Sequence, residues 1–230
     1  MAQVTQARDR QTSVDLIFSD LYQKIIALDL KPGDKISEAE VAAKFGVSRQ
    51  PVRDAFSRLA NLDLLLIRPQ RATVVKRFSL KEIEKSRFVR ACVEAEVLRL
   101  AARRCDEEAA ALLDLCLARQ KKSIKNKDYN QFGAMDYEFH KALCDIAGVA
   151  FAFEVISTEK AKVDRLCSLG LAKEDRMPQL LEDHKAISDA VKAHDEAGAV
   201  AAGMLHLSRL DATITSIKAT NANYFEPETG

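Results

Sequence analysis

The stretch Phe45-Gly46-Val47-Ser48-Arg49-Gln50-Pro51-Val52-Arg53-Asp54-Ala55 constrains this 230-residue chain more than any other. Gly46 supplies the permissive backbone that a tight turn between two helices needs. Ser48 suits a helix N-cap, and Pro51 sits in the first turn, where a missing N–H costs little. Val52, Ala55, Phe56 and Leu59 recur at helical spacing and predict an inward face. Arg49, Gln50, Arg53 and Ser57 are left outward. A turn followed by a short helix with one apolar side and two arginines on the other is the second half of a helix-turn-helix.

The flanking sequence extends this unit. Ser13 is placed to cap a first helix with apolar positions Val14, Ile17, Phe18, Leu21, Ile25 and Ile26, which Lys31-Pro32-Gly33-Asp34 ends in a turn. Ser37 and Glu40 have capping-box spacing for a second helix. Leu64–Ile67 and Ala72–Val75 predict two short strands, joined by a loop carrying Arg68 and Arg71. Helix, helix-turn-helix and hairpin follow one another in winged-helix order over residues 13–77. Residues 1–12 and 223–230 are expected to be disordered.

Charge agrees with this division. Residues 1–77 carry 13 Lys/Arg and 9 Asp/Glu, a net +4, whereas residues 78–230 carry 22 and 25, a net −3. A basic first part suits nucleic acid. A recognition helix in the major groove brings its early residues to base edges. Arg49 and Arg53, one turn apart, can each bond guanine through two atoms, worth ~1–3 kcal/mol of discrimination. Gln50 can read adenine, and Ser48 at the positive helix end suits a phosphate. Arg68, Arg71, Lys76 and Arg77 can meet backbone or minor groove. The plainer reading is a solvated helix with ordinary arginines.

Residues 78–222 show no strand pattern and predict an all-helical antiparallel bundle of six helices: about 80–104, 106–126, 128–148, 150–169, from Pro178 to about His194, and from Asp195 to near Asn221. The overall class is therefore mainly α. The five cysteines form no CxxC pair and fall in helical patterns, which suggests buried free thiols. The N-terminus lacks an apolar run, and no stretch approaches the ~18 apolar residues of a membrane span. A cytoplasmic, nucleoid-associated protein with no membrane contact is expected.

Polar residues interrupt several apolar stripes of this bundle. Asp136 and His140 share one with Phe132, Phe139, Leu143 and Ala147. His184 shares one with Leu180, Ile187 and Val191, and His206 another with Ala199, Ala202, Leu210, Thr213 and Ile217. One divalent metal (Zn, Ni or Mn) would satisfy Asp136, His140, His184 and His206 together. Each taken singly reads as a hydrogen-bonded core residue. Arg90 and Glu94 share the stripe of Ile83, Val97 and Ala101, either as a buried pair or as an anion-binding Arg oriented by its carboxylate. Arg165 is a further candidate for that pocket.

Leu30-Lys31-Pro32-Gly33, Ser37-Glu38, the stretch Phe45–Ala55 and Leu59 closely resemble the DNA-binding domain of the GntR superfamily of bacterial transcription regulators. In that family the positions matching Ser48, Arg49, Gln50 and Arg53 contact DNA. Ala39 stands where many members have Arg, and Gln70-Arg71 where many have Gly. Arg90-x3-Glu94, Asp136-x3-His140, Glu182-Asp183-His184 and Met204-Leu205-His206-Leu207 resemble the helical FCD effector-binding domain of the FadR-type subgroup. Val149 departs from the Asn common there. The resemblance implies a homodimeric repressor on a palindromic double-stranded operator, with one divalent ion held by the Asp and three His. A small carboxylate effector would reach that ion with help from Arg90. Two other classes remain: a constitutive dimeric DNA-binding protein with a structural metal or none, and a metal-dependent hydrolase, for which no second carboxylate is placed as general base.

Overall fold

The computed structural model describes residues 12–68, 71–167 and 173–227. Two compact units emerge, Met1–Phe78 with Asn223–Gly230, and Ser79–Ala222. The first contains α1 (Ser13–Ile26), β1 (Lys35–Ile36), α2 (Glu38–Phe45), α3 (Arg49–Asn61), β2 (Leu65–Leu66) and β3 (Thr73–Val75). Thr12, not Ser13, caps α1: its hydroxyl accepts from Asp15 N, and the Asp15 carboxylate accepts from Thr12 N. Ile17, Leu21 and Ile25 pack in one core with Val52, Ala55, Phe56 and Leu59. Fully burying each Ile, Leu, Val or Phe side chain among them contributes about 1.5–3 kcal/mol. Gly46 closes α2 in the left-handed region, φ 63°, which lets the chain turn at once into α3.

Strand β1 lies outside the sequence expectation. It pairs antiparallel with β3, giving sheet order β1-β3-β2. Two residues are too few to show alternation, and only their pairing with β3 makes them a strand. The expected strands shorten to Leu65–Leu66 and Thr73–Val75, while Pro69 and Gln70 at the loop tip lie outside the described residues.

The C-terminal segment is corrected more substantially. The expectation was a disordered tail over 223–230. Residues 228–230 are not described, but Ala222–Tyr224 forms a 3-10 turn and Phe225 is buried. Phe78 N donates to Tyr224 O at 2.9 Å, Glu226 N donates to Phe78 O at 2.8 Å, and the two Phe rings stand 5.7 Å apart. Backbone pairing with a buried aromatic orders what a polar composition suggests is loose. Likewise, residues 1–11 of the expected arm lie outside the described residues, and Thr12 is ordered by its capping role.

The second unit holds α4 (Leu80–Arg104), α5 (Glu107–Lys125), α6 (Tyr129–Ile146), α7 (Ala152–Cys167), α8 (Lys173–Lys192) and α9 (Glu196–Thr220). Ser79, Asp106, Asp128 and Asp195 each cap a helix through a side-chain oxygen. Pro178 was expected to open the fifth helix of this bundle but lies inside α8. Its fixed φ suits a helix, and the hydrogen bond it forfeits is confined to one turn. Gly148 ends α6 at φ 67°, and the Arg104 guanidinium, which donates to Ala147 O, fills the space a Cβ would take. Val97, Leu98, Phe139, Leu143, Ile156, Ile187 and Val191 form the core, with Val149 packed against it. Among the thiols described, Cys105, Cys116 and Cys144 are buried as expected, whereas Cys92 is exposed.

Candidate functional site

On α3 the inward stripe is fully buried, while Ser48, Arg49, Gln50 and Arg53 are exposed. Ser48 caps α3 by backbone geometry without a side-chain hydrogen bond, so its hydroxyl is available. Gln50 Nε2 donates to Asp54 Oδ1 at 2.9 Å, and Arg53 Nε to Glu38 Oε2 at 3.0 Å. Exposed pairs of this kind are worth ~0–1 kcal/mol, so a stronger partner displaces them readily. Arg68 and Arg71 are exposed on the hairpin, where Arg71 N donates to Arg68 O at 3.3 Å. Lys76 instead faces Asp63 at 2.5 Å, and Arg77 Nε donates to Asn223 O at 3.1 Å.

In the helical unit, His140 from α6, His184 from α8 and His206 from α9 converge. Each offers a ring nitrogen, and these nitrogens lie within 4.8 Å of one another. All three rings are buried. His184 Nδ1 contacts Gln120 Oε1 at 2.8 Å, and Gln120 in turn donates to Met135 O at 3.2 Å. His140 Nδ1 stands 3.2 Å from Glu94 Oε2. His140 Nε2, His184 Nε2 and His206 Nδ1 are buried without a hydrogen bond among the described residues. Unsatisfied buried groups cost about 1–3 kcal/mol each. An imidazole anchored through one nitrogen and unpartnered at the other is the arrangement a metal ligand needs. Donor set and geometry therefore fit a divalent ion.

Asp136 is more committed than expected. Its Oδ1 lies 3.2 Å from His184 Nε2, close but not aligned for a hydrogen bond, and its Oδ2 lies 2.8 Å from Lys160 Nζ. Arg90 and Glu94 form a buried pair at 2.8 Å, and Arg90 makes no other side-chain hydrogen bond among the described residues. Arg165 is also buried, on α7.

The electrostatics follow from burial and pairing. Burial alone would raise the Glu94 carboxyl, but His140 and Arg90 together hold it down at about 2. Burial is likewise outweighed at Asp136 by Lys160 and His184, which hold it well below the usual carboxylate range. Lys160, which burial would lower, is raised by Asp136 and Asp164. Burial, joined by the neighbouring ring of His206, pushes His184 well below 6.5. His206 is also lowered, chiefly by burial and against the pull of Asp183. Neutral imidazoles are the form that binds a metal.

Comparison with known proteins decides the family. Residues 14–75 match the bacterial regulatory proteins of the gntR family, and residues 87–209 match the FCD domain. The HTH-type transcriptional repressor RspR of Escherichia coli (strain K12) is 32% identical over 97% of this chain and 98% of its own. The chain belongs to the GntR family. The gluconate operon transcriptional repressor of Bacillus licheniformis is 26% identical over 76% of this chain and 74% of its own. Two solved structures share the fold. A GntR structure from Rhodococcus sp. RHA1 has TM-score 0.70 at 20% identity, covering 88% of this chain and 97% of that one. E. coli McbR/YncC has TM-score 0.67 at 19% identity, covering 89% and 98%. The protein is thus a GntR transcription regulator with a winged-helix DNA-binding domain and a helical FCD domain. No helix among the described residues is long and apolar enough to cross a membrane.

Sequence reasoning about this GntR regulator passed over Lys160, Gln120 and Asp183. Lys160 stands in the stripe of Ile156 and Val163, and Gln120 in that of Leu113 and Cys116, all buried. The periodicity that singled out Asp136 would have found both. Asp183 lies beside His184 in sequence yet faces His206, 3.7 Å from its Nδ1, and is held at about 2 because His206 and Arg209 outweigh burial. His194 is exposed and contacts Ala102 O at 2.8 Å, near the C-terminal end of α4.

Proposed function

We propose that this GntR regulator is a cytoplasmic, homodimeric repressor whose grip on a palindromic operator is set by a small organic acid. Ser48, Arg49, Gln50 and Arg53 read the major groove, and Arg68 and Arg71 steady the wing on the DNA backbone. His140, His184 and His206, with Asp136, hold one divalent ion (Zn, Ni or Mn). When bound, that ion supplies a Lewis-acid anchor for a carboxylate. Arg90, oriented by Glu94, offers its guanidinium to the same acid, and Arg165 adds positive charge. The observation that carries this reading is the convergence of three buried imidazoles, each with a ring nitrogen that makes no hydrogen bond among the described residues.

Regulation then requires a difference in affinity. An acid that binds one packing of the FCD helices more tightly shifts the population toward it, and one without such a preference regulates nothing. Gluconate operon repressors among the relatives make sugar acids the first compounds to try. The test is an operator titration of metal-loaded protein against a panel of carboxylates. Release by one acid, abolished in Arg90→Ala and by chelation, is expected. Operator affinity unmoved by every acid would instead support constitutive DNA binding.

A further inference from the structure

Lys160 on α7 is 7% exposed. Its Nζ lies 2.8 Å from Asp136 Oδ2, and 2.9 and 2.7 Å from Asp164 Oδ1 and Oδ2. The ring of Tyr137 stands 4.4 Å from the ammonium, and the Tyr137 hydroxyl donates to Asp164 Oδ2 at 2.9 Å. Asp164 thus gives Lys160 a counter-charge through both of its oxygens. Asp136 is held differently: Oδ2 is taken by Lys160, while Oδ1 faces His184 Nε2 at 3.2 Å.

We propose that Lys160 is a positioning residue that makes Asp136 a one-oxygen ligand. The inference rests on the metal reading above and adds to it. A carboxylate free to rotate can grip a cation with both oxygens and fill two coordination positions. Held at Oδ2 by a buried ammonium, Asp136 presents Oδ1 alone, and the position saved stays open for an incoming carboxylate. Partners of this kind, one bond removed from the ion, orient the ligands and tune the site. Nothing in the sequence resemblance singles out this lysine. Its role follows from a carboxylate divided between an ammonium and the His184 imidazole.

The experiment uses the full chain and Zn2+ alone as probe. Infrared difference spectra, metal-loaded minus metal-free, report the splitting between the two carboxylate stretches, which is wide for one-oxygen and narrow for two-oxygen ligation. Asp136→Asn assigns the band. Wide splitting is expected in the wild type and in Lys160→Gln, which keeps a donor to Oδ2. Narrowed splitting is expected in Lys160→Met, which keeps the bulk and loses the donor. Wild-type splitting in Lys160→Met, or narrow splitting in the wild type itself, overturns the inference. The wild-type spectrum decides even if Lys160→Met fails to fold. A wild type that takes up no Zn2+ overturns the metal reading and this inference together, and elemental analysis distinguishes that case from the others.

Discussion

The exposed face of α3 and the imidazole pocket handle charge in opposite ways. On α3, Arg53 is 56% exposed and shares a single hydrogen bond with Glu38. In the pocket, Arg90 and Glu94 are each 7% exposed at the side chain and locked at 2.8 Å. Water screens the first pair, so its partners can be exchanged for DNA at little cost. The second pair is out of water and must be satisfied where it stands. A surface that binds a polyanion needs loosely held cations. On the proposed function, the pocket senses a small anion and needs cations already oriented.

The comparison is broken most directly by deleting one carboxylate from each pair. Glu94→Ala leaves the buried Arg90 without its carboxylate and should destabilise the protein by about 3–5 kcal/mol in urea unfolding; a loss under 1 kcal/mol would mean that water reaches the pair. Next in size is DNA discrimination. Arg49→Ala and Arg53→Ala should each remove ~1–3 kcal/mol of operator preference over random DNA. Equal losses on both DNAs would argue against base reading.

A smaller effect concerns pH. His184 and His206 have folded pKa values below 6.5. Their contribution to the stability of metal-free protein is therefore complete above pH 6.5 and shrinks as pH falls below it. Glu94 and Asp183, held at about 2, stay ionised over the same interval. Thermal melts of metal-free protein should show a lower Tm at pH 5.5 than at pH 7.5; equal values would mean the rings accept protons without penalty. The smallest effect is expected for Glu38→Ala, within about 1 kcal/mol of wild-type stability. Operator binding should be equal or tighter, since Arg53 is released. Weaker binding in a gel-shift titration would show that Glu38 orients Arg53.

Legibility divides along the same line. α3 was readable because its cap, its Pro51 and its apolar stripe are local signals. The convergence of His140, His184 and His206 was readable in direction, since polar residues in apolar stripes must point inward. Their partners were not: that Asp136 is shared with Lys160, or His184 anchored by Gln120, depends on which helices become neighbours, and periodicity within one helix does not say. β1 and the Phe78–Phe225 pairing failed for a related reason, each being too short to pattern and existing only through a distant partner. Pro178 shows the converse, a strong local signal overridden by the rest of its helix.

The most direct test of the central claim is the metal content of purified protein, measured by elemental analysis beside His140→Ala and His206→Ala. One divalent ion per chain in the wild type, lost in both variants while the fold is retained, is the expected result. A wild type without metal, or variants that keep it, would contradict the account and leave the buried imidazoles as core residues.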